Sequence, residues 1–310
     1  MLVAIEPGRR NTAAIELAGT LATALDRQVK AAVVVVVAAG MPSPLRVGMT
    51  DEKLGELLAR DGLEEAKHRL GDRYDGVIVK RDRSARAGLL AAIEEERPGQ
   101  LVLGPAEGGI PPGHIHLGPT TRGLLNSSSV PVLLAPEGYS RIDADHPLRR
   151  VTVAFGPDPE SIFALRYSAL LAERADTQLR TATFWVRQAS TAPNPGGVKY
   201  ENELAAQWKE QMQAKIDKAV RGLDDLDLPT RFIHTDIADG QDWGAAIDQV
   251  DWDAGDLMVV GSSPPSGLRS VFLGSRSAEI LRRATVPVAV LPAIEGKLGP
   301  GRSAGIPRTT

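Results

Sequence analysis

Twice in this chain a short apolar run closes on a glycine, passes through a glycine-bearing loop and leads into a helix-like segment. The first copy is Leu101-Val102-Leu103-Gly104, with Gly108 and Gly109 in the loop and Gly118-Pro119-Thr120 at its end. The second is Leu257-Met258-Val259-Val260-Gly261, ending at Gly274-Ser275-Arg276. Residues of these types in this order suit an anion such as phosphate. Glycine lets the backbone approach a ligand closely, and the first turn of a helix leaves N–H groups without intrahelical partners. A hydroxyl at Thr120, Thr121 or Ser275 adds a donor, or serves as an ordinary helix cap. Arg269 and Arg276 flank the second loop and could pair with phosphate, whereas Arg282 and Arg283 fit the negative end of a helix. His114 and His116 have no third ligand nearby, so they read as solvated and no metal site is expected. Other chemistries lack their residues. There is no Gly-x-x-x-x-Gly-Lys-Ser/Thr loop, no Gly-x-Ser-x-Gly elbow and no His-Glu-x-x-His helix. With no cysteine there is no thiolate nucleophile, disulfide or Cys-based metal site. Glu94 to Glu96 read as a solvated helix end. Nothing places a general base beside a nucleophile, so no catalytic residue is expected.

The elements that must hold these loops are also duplicated. Gly118 and Gly274 lie 156 residues apart, and the frame extends well beyond them. Val3-Ala4 matches Val153-Ala154, Ala91-Ala92-Ile93-Glu94 matches Ala245-Ala246-Ile247-Asp248, and Val130-Pro131-Val132 matches Val286-Pro287-Val288. A period this long means two domains rather than a solenoid, and 310 residues give each half enough chain for its own core. Strands are expected near 2–6, 30–38, 76–80, 100–104 and 130–135, and again near 150–156, 178–187, 230–236, 256–261 and 286–291. Helices are expected near 11–27, 51–71, 84–96, 119–128 and 199–223. The last carries Leu204, Trp208, Met212, Ile216 and Val220 at four-residue steps, a stripe expected to be core. Alternation with crossover helices predicts a mostly parallel sheet covered on both faces, with ligands at the carboxyl ends of its strands. The five valines from Val33 to Val37 read as a buried strand, since the apolar run around them is too short to cross a bilayer. A net charge of −3 gives no drive toward nucleic acid or anionic lipid. Met1 to Ile5 lacks the pattern of a signal peptide, so a cytoplasmic protein is expected. The domains are placed at 1–137 and 149–293, with a linker at 138–148 and a disordered tail at 294–310.

The strand, Gly261, Gly274-Ser275 helix and closing Val-Pro-Val strand resemble the universal stress protein family, in its tandem form with two domains in one chain. The resemblance implies two doubly wound, five-stranded, Rossmann-like sheets of the adenine nucleotide alpha-hydrolase type, forming an internal pseudo-dimer. It also implies a stress-response regulator or sensor that binds ATP, with a protein partner and homo-oligomer formation. The family loop reads Gly, two residues, Gly, nine residues, Gly, then Ser or Thr, and an Asp after the first strand contacts adenine. In the second half Gly261, Gly274 and Ser275 keep this spacing, while Pro264 stands at the inner glycine and Gly156 at the Asp, with Asp158 as a possible substitute. In the first half Glu6 stands at the Asp, Gly104 and Gly118 frame a loop one residue longer, Gly108 or Gly109 supplies the inner glycine, and Thr120 follows Pro119. Proline removes a backbone donor, so the first half is expected to hold nucleotide more readily. A nucleotide-free scaffold of the same fold is the alternative, and a slow ATP hydrolase a third.

Overall fold

The computed structural model describes residues 1–37, 49–106, 112–141, 147–156, 158–186, 197–223, 233–262 and 275–292. The first half runs β1 (Leu2–Ile5), α1 (Thr12–Ala24), β2 (Val29–Val36), α2 (Asp51–Leu58), α3 (Arg60–Leu70), β3 (Tyr74–Asp82), α4 (Ala85–Glu96), β4 (Leu101–Leu103), α5 (Pro119–Leu125) and β5 (Val132–Leu134). The second runs β6 (Arg150–Ala154), α6 (Pro159–Arg174), β7 (Gln178–Val186), α7 (Gly197–Arg221), β8 (Ile233–Gly240), α8 (Trp243–Ile247), β9 (Asp256–Gly261), α9 (Ser275–Arg283) and β10 (Val288–Leu291). The expected tail and residues 142–146 of the expected linker lie outside the described residues.

The strands form one sheet of ten in the order β3-β2-β1-β4-β5-β10-β9-β6-β7-β8. Each half contributes five parallel strands, and the two sets meet where β5 and β10 pair antiparallel, Val132 opposite Val290 and Leu134 opposite Val288. The matched Val-Pro-Val segments are therefore the closing strands of their halves, as expected. Pro131 and Pro287 stand just outside the matched pairs, where a missing N–H leaves no gap in the ladder. Their carbonyls accept from Leu101 N and Met258 N at 3.0 and 2.9 Å.

Period-two alternation decides which side chain goes to which face. In β2, Val29, Ala31 and Val33 join one apolar cluster while Ala32 and Val34 join the other. In β9 the split is Leu257 and Val259 against Met258 and Val260. Both clusters continue through β5 and β10, so the halves share their core on each face of the sheet. Helix starts follow capping chemistry: Ser84 accepts from Ala87 N at 3.2 Å, Asp158 from Ser161 N at 2.9 Å and Asp242 from Ala245 N at 2.9 Å.

Two expectations change. The helix foreseen over 51–71 breaks at Ala59 into α2 and α3, which lets Gly62 press against the loop after β1. A Cβ at Gly62 would lie 2.7 Å from the Arg9 carbonyl oxygen, a contact only glycine permits. The stripe on α7 is core only at its centre, where Met212 and Ile216 are buried, while Leu204 is 40% exposed. Trp208, half-buried between them, has a different role described below.

The base of the second half holds a buried ionic cluster. Asp256 accepts from Arg150 Nε at 2.7 Å and from Arg180 Nη2 at 3.1 Å, and the Arg180 guanidinium also lies 4.9 Å from the centre of the Trp252 ring. Hydrogen bonding to Asp256 raises the Arg150 pKa, while burial lowers that of Arg180 against the pull of Asp256. The directions differ because Arg180 is the more deeply buried, and both remain cationic.

Candidate functional site

In an open parallel sheet the crevice for ligands opens where strand order reverses, at the carboxyl ends of the two strands that diverge. Here those pairs are β1 with β4 and β6 with β9. The two crevices have taken different forms.

The second-half crevice is a cavity of 680 Å³. Its back is the end of β6 and of β9, with Ala154, Phe155 and Gly156 on one side and Val260 and Gly261 on the other. Gly261 packs closely against α6: a Cβ there would lie 3.1 Å from the carbonyl oxygen of Glu160 in its first turn, a tight contact. The start of α9 closes a third side with Arg276 and Ser277, whose hydroxyl donates to the Gly261 carbonyl at 3.0 Å. Asp158 faces the cavity while capping α6. Its Oδ1 accepts from Ser161 N and Ser161 Oγ at 2.9 and 2.8 Å, and its Oδ2 would be 2.6 Å from a Cβ on Gly156. Its second carboxylate oxygen thus occupies the space that a side chain at 156 would enter. Ser161 Oγ in turn accepts from Gly156 N at 2.9 Å, so its hydroxyl is committed as donor and acceptor alike.

The remaining wall is aromatic. Phe184 and Trp185 end β7, Trp208 comes from α7 and Trp243 opens α8. Trp185 and Trp208 stack with ring centroids 5.4 Å apart and planes at 27°. Three of the four tryptophans of an aromatic-poor chain therefore line one cavity. Sequence reasoning missed them because Trp208 fitted the apolar stripe of α7 and the others lay on unrelated elements. The available signal was their distribution, all four falling after residue 150.

The first-half crevice is bridged. Glu6, exposed just past β1, pairs with Arg9 through Oε2 and Nη1 at 2.9 Å, and the same nitrogen donates to the Pro105 carbonyl just past β4 at 3.2 Å. Asn11, in left-handed conformation at φ 57°, ties the loop by donating from Nδ2 to the carbonyls of Glu6 and Arg9 at 3.1 and 2.9 Å. Gly104 lies against α1, where an added Cβ would sit 3.4 Å from that of Ala14. Gly118 precedes α5 with Pro119 in its first turn, and a Cβ at Gly118 would be 2.8 Å from that of Ala106. Thr120 is half-buried in that turn. Gly108, Gly109, Pro264, Arg269 and Gly274 lie outside the described residues, and Ser275 is placed only as the first residue of α9. Among the described residues no group of three or more His, Cys, Asp or Glu is placed to hold a metal ion. No helix of the described residues is long and apolar enough to cross a membrane.

Chemically, the second cavity combines flat aromatic faces, a carboxylate oxygen, a guanidinium and the start of a helix. This is equipment for holding a planar ligand with an anionic arm.

Comparison with known proteins agrees with this architecture. A model of the Universal stress protein family matches residues 147–292. Universal stress proteins of Mycobacterium tuberculosis and Mycobacterium bovis are 33% identical over 256 residues, covering 81% of this chain and 85% of theirs. The crystal structure of a universal stress protein from Archaeoglobus fulgidus shares the fold at a TM-score of 0.60 and 17% identity, over 94% of this chain and 97% of that one. A putative universal stress protein from Pseudomonas aeruginosa does so at 0.56 and 16%, over 94% and 92%. A duplicated doubly wound frame of this kind, together with one-third identity over most of both chains, means that this protein belongs to the universal stress protein family.

Proposed function

We propose that this chain is a cytoplasmic stress-response regulator or sensor that binds an adenine nucleotide, and that the nucleotide occupies the second half. The observation that carries the reading is the 680 Å³ cavity at the β6 and β9 ends with the stacked Trp185 and Trp208 in its wall. The base would lie against the aromatic wall, with Asp158 Oδ2 as an acceptor for its exocyclic amine and Arg276 and the start of α9 facing the phosphates. This placement reverses the order expected from the glycine loops. The reason is Arg9: its bridge from Glu6 to the Pro105 carbonyl spans the place a first-half nucleotide would need. That bridge favours the nucleotide-free scaffold reading for the first half. Binding is the role proposed for the second cavity, because its only serine–carboxylate pair among the described residues is spent on capping α6. Any homo-oligomer would use surfaces other than β5 and β10, which are paired with each other.

Equilibrium dialysis with ATP and Mg²⁺ tests the proposal. The parent chain should retain ATP, Trp208→Ala should weaken binding by about tenfold or more through loss of stacking, and Glu6→Gln should leave it unchanged. No retained ATP would support the scaffold reading for the whole chain. Loss in Glu6→Gln alone would return the site to the first half, and ATP turnover in the same samples would support the hydrolase reading.

A further inference from the structure

A second cavity, sharing no lining residue with the nucleotide crevice, lies at the amino ends of β1 and β4, where the two halves meet. It has a volume of 460 Å³ and is lined by the start of β1, the ends of α1 and α4, and the end of α6 from the other half. Its floor is apolar, with Leu2 and Leu171 buried beneath it. Its rim is cationic. Arg27 follows α1, Arg97 caps α4 in left-handed conformation at φ 45°, and Arg174 ends α6.

The carboxylates of the lining do not balance these arginines. Glu96 is taken by Lys30 at 2.7 Å, and Asp26 by Arg73 at 3.1 Å. Asp75 is exposed and makes no ion pair with the three arginines, none of which has a carboxylate partner among the described residues. Helix C-termini attract such side chains, and three of them converge here. Each carries only about half a negative charge, roughly −1.5 in all against three full positive charges. Arg27 and Arg174 also repel one another across the junction: burial and then Arg27 lower the Arg174 pKa. One further group is unspent. Gln100, buried in the same lining, donates Nε2 to Tyr167 Oη at 2.9 Å, and its Oε1 has no hydrogen-bond partner.

We propose that this cleft is a second ligand site, for a small organic anion whose carboxylate or phosphate head is held by Arg27, Arg97 and Arg174 and whose apolar body rests on Leu2 and Leu171. An anion there turns repulsion between the halves into a shared attraction, so its binding clamps the junction and raises stability by mass action. The site is independent of the nucleotide cavity and stands whether or not that cavity binds ATP.

Phenyl phosphate, benzoate and inorganic phosphate serve as probes, each titrated calorimetrically into the full chain at low ionic strength. Phenyl phosphate or benzoate should bind, the tighter of the two naming the head group, and each should bind at least tenfold more tightly than inorganic phosphate. Arg174→Glu and Arg97→Glu, one from each half and both at exposed positions, should each weaken that binding tenfold or more, while the charge-matched control Arg83→Glu and the cavity variant Trp208→Ala should not. Absence of binding by both organic probes overturns the proposal, as does equal binding in Arg174→Glu and Arg97→Glu. Loss in Trp208→Ala places the anion in the other cavity and overturns it too. Inorganic phosphate binding as tightly as phenyl phosphate overturns the role of the apolar floor.

Discussion

Tyr167 is a residue whose environment is set almost wholly by burial. It sits on α6 at the junction of the halves, takes a hydrogen bond from Gln100, and has its pKa pushed up to about 12 by loss of solvent, against the smaller lowering effect of that bond. Because an unfolded tyrosine titrates near about 10, the folded chain keeps this proton over a range where the unfolded chain releases it. The stabilising contribution is therefore complete below about pH 10 and is lost as pH rises toward about 12. At pH 11 the loss is on the order of 1 kcal/mol, and over the whole range between 2 and 3 kcal/mol, roughly. Urea unfolding at pH 8 and pH 11 should show the parent chain losing that much more than Tyr167→Phe, whose own offset is the same at both pH values. Equal losses in the two proteins would contradict the assignment. The proposed choice between the two crevices rests on the same scale, since Arg9 bridges Glu6 and Pro105 in the first while glycine at 156 leaves space for Asp158 in the second.

At the scale of elements, the site depends on where α6 begins. Asp158 stops the chain in extended conformation, caps the first turn through Ser161, and so brings Glu160 against the end of β9, where a side chain at 261 would make a tight contact with the Glu160 carbonyl. The cap and the cavity wall are one residue. Asp158→Ala should lower stability by about 1 kcal/mol through loss of the cap, measurable as a shift of the urea midpoint without a change in slope. Asp158→Asn should restore most of it, because its side-chain oxygen still accepts from Ser161 N. If alanine and asparagine destabilise equally, capping is not the cause. On α7 the same helix face serves two purposes, burying Met212 and Ile216 at its centre and presenting Trp208 to Trp185 at the cavity.

For the whole molecule, the antiparallel join of β5 with β10 makes one sheet of two repeats, and the cores on both faces run through that join. Two domains connected only by a linker would unfold separately, whereas halves sharing a core should unfold together. The tryptophans offer a direct test, because all four lie in the second half while backbone ellipticity reports on both. Urea transitions followed by tryptophan emission and by far-ultraviolet circular dichroism should coincide. A first-half transition that precedes or follows the tryptophan signal would show that the join is too weak to couple the halves.

What the sequence alone determined is what short-range physics can carry. Apolar runs and their alternation with helical segments located the strands and most helices, the internal repeat revealed two equivalent halves, and the matched Val-Pro-Val segments marked the closing strands. The break at Ala59 escaped because it answers to Gly62 packing on a loop some fifty residues away in the chain. The cavity escaped for a similar reason. Glycine spacing is a local pattern and pointed to both loops, but whether a crevice stays open depends on side chains arriving from elsewhere. Arg9 reaches Pro105 across 96 positions, and Trp185, Trp208 and Trp243 meet only once β7, α7 and α8 are packed. Likewise the arginines at the ends of α1, α4 and α6 are unremarkable singly, and become a cluster only because the sheet sets those three helix ends around one cleft.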